Sequence, residues 1–275
     1  MHSFTKNDLK VSTAFIEKFA KMYITQRTEK TGVDTTITTS VLFNNTGFDT
    51  KSLEKIVTKH LVAIDTKREK DLSPNILNDI YRSDLGELLM TYYFEEKIDT
   101  KFRFLIPVKN ISYRELANQP GRGLDAIGFN TNNNKVNLLF GEAKVSTEKK
   151  SPPQVVDVST DSIYATQTKY RKQKTDVLNR LADLYKRLGS KDASIIGAAI
   201  IAIELDLSER FTITFGCVLV RDSSCVNEKL DWGKLRSDKK SFEPHIVHFS
   251  ILSFDKTIEE TVQLFYKKVQ ELIAA

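Results

Sequence analysis

The sequence is poor in several features that would announce a function. Its two cysteines, Cys217 and Cys225, form neither a zinc spacing nor a disulfide framework. Its four histidines are scattered, and the H-x-x-H of His245 and His248 falls in the strand-like run HIVHFSIL. Strand residues three apart face opposite sides, so this is not read as a metal pair, and neither a histidine-based nuclease nor a Ser/His/Asp hydrolase finds support. No Walker A sequence is present, so an ATP-driven step would have to come from another protein. No apolar run approaches the ~20 residues of a membrane-spanning helix; the run IIGAAIIAI (195–203) is read instead as a buried strand. The polar opening HSFTKNDLK is not a secretory signal, and the chain is expected to be cytoplasmic, with no membrane partner. Internal repeats and long low-complexity tracts are absent as well. The formal net charge is only +5, so bulk charge alone does not announce a nucleic-acid partner.

What is present fits a sizeable core, which 275 residues can bury as one large domain or as a domain with an N-terminal extension. Residues 7–26 place Phe15, Ile16, Phe19, Met22 and Tyr23 on one face and predict a helix. The Thr-rich stretch 31–43 predicts a strand, and Asp49 or Thr50 caps a helix running to about Ile64. The charged stretch 65–73 reads as a loop before Pro74 opens the next helix. Strands are predicted at 102–109, 123–130 and 136–145, the last two joined into a hairpin by the turn NTNNNK (130–135). Residues 161–188 read as one long amphipathic helix with Val177, Leu181, Leu184 and Leu188 on its apolar face. Strands at 194–204, 211–220 and 245–252 and a C-terminal helix complete the pattern. Residues 1–70 are expected as an α+β extension or a partner-docking lobe, and 71–275 as the main domain. The order of elements there predicts an α/β fold, a mixed central sheet with helices on both sides.

Two segments carry polar groups that this apolar pattern does not explain. GRGLDAIGF places Asp125 on one strand, and LLFGEAKVS places Glu142 and Lys144 on the next. Successive strand residues point to opposite faces, so Glu142 and Lys144 share one. The run Val136, Leu138, Leu139, Phe140 makes that strand a buried one, and a charge at its end is costly unless paired or metal-bound. Two carboxylates suit Mg²⁺, which takes one or two protein carboxylates and completes its shell with waters and phosphate oxygens. A lysine beside them can orient an attacking water or stabilise charge on a phosphate. Taken singly, Asp125 could be a turn acid and Glu142–Lys144 an exposed strand end. Together they favour a metal-dependent phosphodiesterase site, with Mg²⁺ or Mn²⁺ on Asp125, Glu142 and the Ala143 carbonyl. The segment 161–188 adds seven Lys and Arg against Asp161, Asp176 and Asp183, a basic helix directly after the site. Arg171, Lys172 and Lys174, with Lys149 and Lys150 in the polar loop 146–154, are the expected DNA contacts, and that loop is expected to be a mobile flap. Arg122, beside Asp125, is a further candidate for a phosphate contact.

With GLD (123–125) in place of the proline–aspartate element and EAK (142–144) as the acid–x–lysine element, the chain resembles the PD-(D/E)xK nuclease superfamily. Leu124 stands where that superfamily usually has proline, a departure that leaves the carboxylate in place. The resemblance implies a restriction-endonuclease-like fold. It also implies a glutamate on the helix before the hairpin as a further metal ligand, supplied here by Glu87 in RSDLGELLMTYYF, with Asp84 as the competing acid one turn earlier. It implies as well a Gln and a Tyr on the helix after the lysine strand; Gln167 and Tyr170 stand there, at a spacing one residue shorter than the common one, and Gln167 joins the expected DNA contacts. Over roughly residues 75–205 the chain resembles, more narrowly, the HamA family, nuclease subunits of the Hachiman antiphage defence system. That resemblance implies a DNA-degrading activity in bacterial defence and a helicase partner. A catalytically silent nuclease fold that binds DNA or protein, and an RNase on the same scaffold, remain open alternatives.

Overall fold

The computed structural model describes residues 1–28, 74–113, 124–132 and 135–274, together with six isolated positions between 51 and 62. The expected strand at 31–43, the loop at 65–73 and Arg122 lie outside the described residues, as does most of the helix expected up to Ile64.

Among the described residues six strands form one sheet: β1 (Ser3–Leu9), β2 (Leu105–Lys109), β3 (Ala126–Asn132), β4 (Lys135–Ser146), β5 (Phe211–Asp222) and β6 (Ile246–Phe254), in the order β1-β6-β5-β4-β3-β2. β4, β5, β6 and β1 run parallel, whereas β2, β3 and β4 are antiparallel. β5 lies at the centre of the parallel part and is buried at every position, which is why FTITFGCVLV is nearly continuous in apolar residues instead of alternating.

Strand alternation divides the core in two. Leu139, Val218, Val220, Leu252 and Phe254 face α1 (Thr13–Thr28), α2 (Pro74–Tyr92) and α8 (Ile258–Ala274), which contribute Phe19, Tyr23, Leu85, Leu88 and Phe265. Leu138, Phe140, Cys217, Leu219, Phe249 and Ile251 face the other way. Over them lie α3 (Gln154–Asp157), α4 (Ile163–Lys172), α5 (Lys174–Arg187), α6 (Ser190–Glu204) and α7 (Gly233–Ser237). The α2 helix and the turn after it (Tyr93–Lys97) come close to the sheet because β4 and β5 carry Gly141 and Gly216 beneath them. A Cβ on Gly141 would stand 2.9 Å from the Met90 sulfur, and one on Gly216 would stand 2.8 Å from the Phe94 ring. His248 lies on this side, its Nε2 2.8 Å from the Tyr93 hydroxyl, and burial lowers its pKa to about 4. His245 packs instead against Phe211 and Phe215.

Three expectations are corrected. Residues 194–204 are not a strand but most of α6, in which Ala193, Ile196, Ala199 and Ala202 are buried at helical spacing while Ile201 is 59% exposed. A continuous apolar run has no period with which to separate the two states. The single helix over 161–188 is two, α4 and α5, parted at Gln173, whose backbone (φ −114°, ψ 85°) is not helical. Residues 7–9 belong to β1 and not to the first helix. β1 is a polar edge strand without apolar alternation, and its pairing is supplied by β6 from Ser3↔His248 to Leu9↔Phe254. The first 28 residues are therefore part of the sheet and its core, with α1 packed on α8 through Tyr23 and Phe265.

Candidate active site

The site is built where the antiparallel hairpin β3–β4 meets the parallel part of the sheet. In the hairpin register Ala126 pairs with Gly141, which sets Asp125 beside Glu142. The Asp125 amide donates to the Gly141 carbonyl at 3.1 Å, and its carboxylate Oδ2 accepts the Ala143 amide at 2.7 Å. Glu142 and Lys144 follow Leu138 and Phe140 onto the face that carries α4 to α7. The Lys144 ammonium lies 3.3 Å from Glu142 Oε1 and 2.6 Å from Asp161 Oδ1. Exposure is graded across the three side chains: 6% for Glu142, 20% for Lys144 and 89% for Asp161, so the site opens outward through Asp161.

Burial, and after it the neighbouring Asp125 carboxylate, hold the Glu142 carboxyl well above the usual carboxylate range, against the pull of Lys144. Burial alone would lower the Lys144 pKa, but the Glu142, Asp161 and Asp125 carboxylates together outweigh it and raise it, so this lysine is an ammonium. Among the described residues, the buried Glu142 Oε2 has no hydrogen-bond partner. An orphaned carboxylate oxygen beside a second carboxylate matches a hard divalent cation, whose waters complete the shell. Asp125 and Glu142 are thus the residues that could hold such an ion. Glu87 is not gathered with them. It is a buried residue of α2, the helix on the opposite face, and no group of three or more His, Cys, Asp or Glu side chains suited to a metal is assembled among the described residues.

The expected DNA contacts divide. Lys149, Lys150, Lys172 and Lys174 are exposed. Lys174 is engaged with the Glu204 carbonyl and Asp206, and Arg171 donates to the Ser241 carbonyl at 2.8 Å. Gln167 is fully buried, contrary to its expected role at the nucleic acid: its amide nitrogen donates to the Phe140 and Gly216 carbonyls at 3.1 and 3.0 Å and holds α4 to the β4–β5 seam. Tyr170 packs its ring on Phe140 and bonds through its hydroxyl to Arg180. Asp84 is buried and accepts the Tyr266 hydroxyl at 2.9 Å.

Two residues at the site escaped sequence reasoning. Asp161 reaches Lys144 from a turn in which its φ is +48° and in which Ser162 caps α4 by accepting the Ala165 amide. Its only sequence signal was an acid just before a helix start. Arg221, at the end of β5, is fully buried. It pairs with buried Asp231 at 2.7 Å and donates to the carbonyls of Glu148 and Lys150 and to the Ser151 hydroxyl. The loop 146–154, expected as a mobile flap, is therefore tied down by its backbone. A lone arginine in an apolar strand was the available sign.

A family model for HamA matches residues 43–269. The chain belongs to the HamA family. HamA is the Hachiman defence-system protein, one member of a multi-protein system, and membership gives this chain a role in antiphage defence. The HamA match spans Asp125, Glu142, Lys144, Asp161 and Arg221 and begins after β1 and α1. No curated protein and no solved structure matches the chain. Among the described residues no helix is long and apolar enough to cross a membrane.

Proposed function

We propose that this HamA-family chain is a metal-dependent DNA nuclease, the effector of its defence system, working with a helicase as partner. The observation that carries this reading is the buried, unpartnered Glu142 Oε2 set between Asp125 and Lys144 at the mouth of the sheet. Asp125 and Glu142 would hold Mg²⁺ or Mn²⁺, and burial of the Glu142 carboxyl gives it a strong demand for a cationic partner. A divalent cation bound there supplies Lewis acidity: it acidifies a water and offsets charge on a phosphate. Lys144 stays protonated at neutral pH, and its ammonium is positioned to orient the attacking water or to neutralise charge building on the phosphoryl oxygens. To do so it exchanges Asp161, its exposed partner, for a phosphate oxygen. The Ala143 amide, by donating to Asp125 Oδ2, fixes the rotamer of the first carboxylate.

The test is cleavage of supercoiled and linear DNA, with RNA in parallel, by the purified chain in Mg²⁺, Mn²⁺ and EDTA, beside Glu142→Ala and Lys144→Ala. Metal-dependent cleavage of DNA that disappears in both variants is the expected result. Cleavage retained in both would sink the assignment, and cleavage of RNA alone would move it to a ribonuclease.

A further inference from the structure

Beyond the site, α4 and α7 bring six cations together. Arg171 and Lys172 close α4, while Lys234 and Arg236 come from α7 and Lys239 and Lys240 from the turn after it. The two segments are joined directly: the Tyr164 hydroxyl donates to Asp238 at 2.7 Å, and Arg171 donates to the Ser241 carbonyl at 2.8 Å. Lys172, Lys234, Arg236 and Lys240 are exposed, and Arg171 and Lys239 half-buried.

Three features separate this strip from an ordinary solvated face. First, the six stand together on two joined segments, and none of them forms an ion pair among the described residues. The acids within the strip are otherwise engaged: Asp238 accepts Tyr164, and Asp157 accepts the Lys234 amide. Second, several of the cations are held in place by rings. Lys234 lies 5.6 Å over Tyr164, Arg171 5.0 Å over Phe242, and Arg236 and Lys239 each 6.0 Å over Phe4. A charge already ordered in this way loses less entropy on binding. Third, α4 starts at Ile163, two residues after the Asp161 that holds Lys144, and ends at the strip. Its ten residues span about 15 Å, some four base steps of a nucleic acid at ~3.4 Å each.

We propose that Arg171, Lys172, Lys234, Arg236, Lys239 and Lys240 form a track for a phosphodiester backbone leading to the candidate active site. That the backbone is a nucleic acid rests on the nuclease reading; the charge and its ordering do not. The faces of Phe4 and Tyr164 are covered by cations and offer no platform for stacking a base, so the track binds phosphates and does not read sequence.

The experiment is equilibrium binding of the full chain to fluorescein-labelled duplexes of two unrelated sequences. It is run in EDTA, where metal-dependent cutting cannot occur, across a series of salt concentrations. The combined variant Lys234→Gln/Arg236→Gln/Lys239→Gln/Lys240→Gln is compared with the unmodified chain. Removing four phosphate contacts should make the plot of log K against log salt shallower by about 3 to 4, and binding at physiological salt should fall at least ~10-fold, equally for both sequences. Lys240→Glu alone, an exposed side chain that forms no hydrogen bond among the described residues, should shift the same slope by about 1 without touching the fold. An unchanged slope in both variants, or a loss confined to one sequence, overturns the track. Cleavage with and without Mg²⁺ on the same preparations keeps the two readings apart. A cutting enzyme whose four-site variant binds normally disproves the track alone. Loss of binding in that variant upholds the track even where no preparation cuts DNA.

Discussion

Replacing Arg221 by methionine should unfold this protein more readily than any surface substitution. Arg221 and Asp231 are both fully buried and 2.7 Å apart, so removing the guanidinium strands a carboxylate inside the protein. Breaking a buried pair in this way costs about 3 to 5 kcal/mol, or roughly 10 °C in melting temperature for a chain of this size. The pair is also incompletely satisfied, because among the described residues Arg221 Nε and Asp231 Oδ1 have no hydrogen-bond partner. Its attraction therefore does not fully offset the desolvation of two charges, and an apolar pair of similar volume should do as well. Arg221→Met/Asp231→Leu is accordingly expected to recover most of the lost stability in a denaturant titration. Recovery should not extend to the loop after β4. Both variants lack the donors to Glu148, Lys150 and Ser151, so limited proteolysis within 147–153 should be faster in both than in the unmodified chain. A loss below about 1 kcal/mol in the single variant, or a double variant as unstable as the single, would refute the reasoning.

The buried His248 holds a pKa near 4, below the ordinary histidine value of 6.5, so the unfolded chain takes up a proton that the folded one refuses as pH falls through 6.5. Stability is complete above that value and should drop by about 2 kcal/mol between pH 7 and pH 5; in urea titrations of His248→Asn only the smaller decline due to His245 and His2, whose pKa values burial also lowers, should remain. Asp161→Asn should change folding stability by less than about 1 kcal/mol, the usual size of an exposed pair. Because it frees Lys144 for a phosphate, it should strengthen substrate binding by up to about fivefold, read as a lower KM; a lower kcat would instead make Asp161 part of the chemistry. Gly141→Ala should cost about 1 to 3 kcal/mol by thermal melting, since the new methyl meets the Met90 sulfur at 2.9 Å and the Ala126 Cβ at 3.1 Å.

Much of the sheet was legible because its signals are local. The hairpin β3–β4, with its turn at 130–135, came within two or three residues of the observed bounds, and so did β5 and the C-terminal helix. Legibility failed where local pattern and tertiary use diverge. The run 194–204 is apolar at almost every position and carries no period, and only its packing makes it a helix. β1 was not legible, and its last residues read as helix, because an edge strand needs a partner's hydrogen bonds more than apolar residues, and that partner, β6, lies more than two hundred residues away. The grouping of Asp125, Glu142 and Lys144 was readable for the opposite reason. All three sit on one hairpin, where register and alternation alone decide which side chains meet.

The parts of the site that were not legible depend on contacts distant in sequence. Asp161 reaches Lys144 across 17 residues, and Arg221 reaches Glu148 and Lys150 across more than 70, so no spacing rule connects them. Each nevertheless concerns the same end of the sheet. Glu142 is buried with an unpartnered oxygen, Lys144 is held between two acids, and Arg221 is buried with an unmet donor. An apolar side chain at any of these positions would be less costly to bury. Gln167, buried with one amide oxygen unmet, adds to the same cost directly behind the Phe140 carbonyl. Buried polar atoms on Gln26, Ser112, Thr168 and Ser253 also lack a hydrogen-bond partner among the described residues, but Glu142, Gln167, Arg221 and Asp231 bring four such groups to one hairpin end and the loop beside it, a concentration that fits the proposed site.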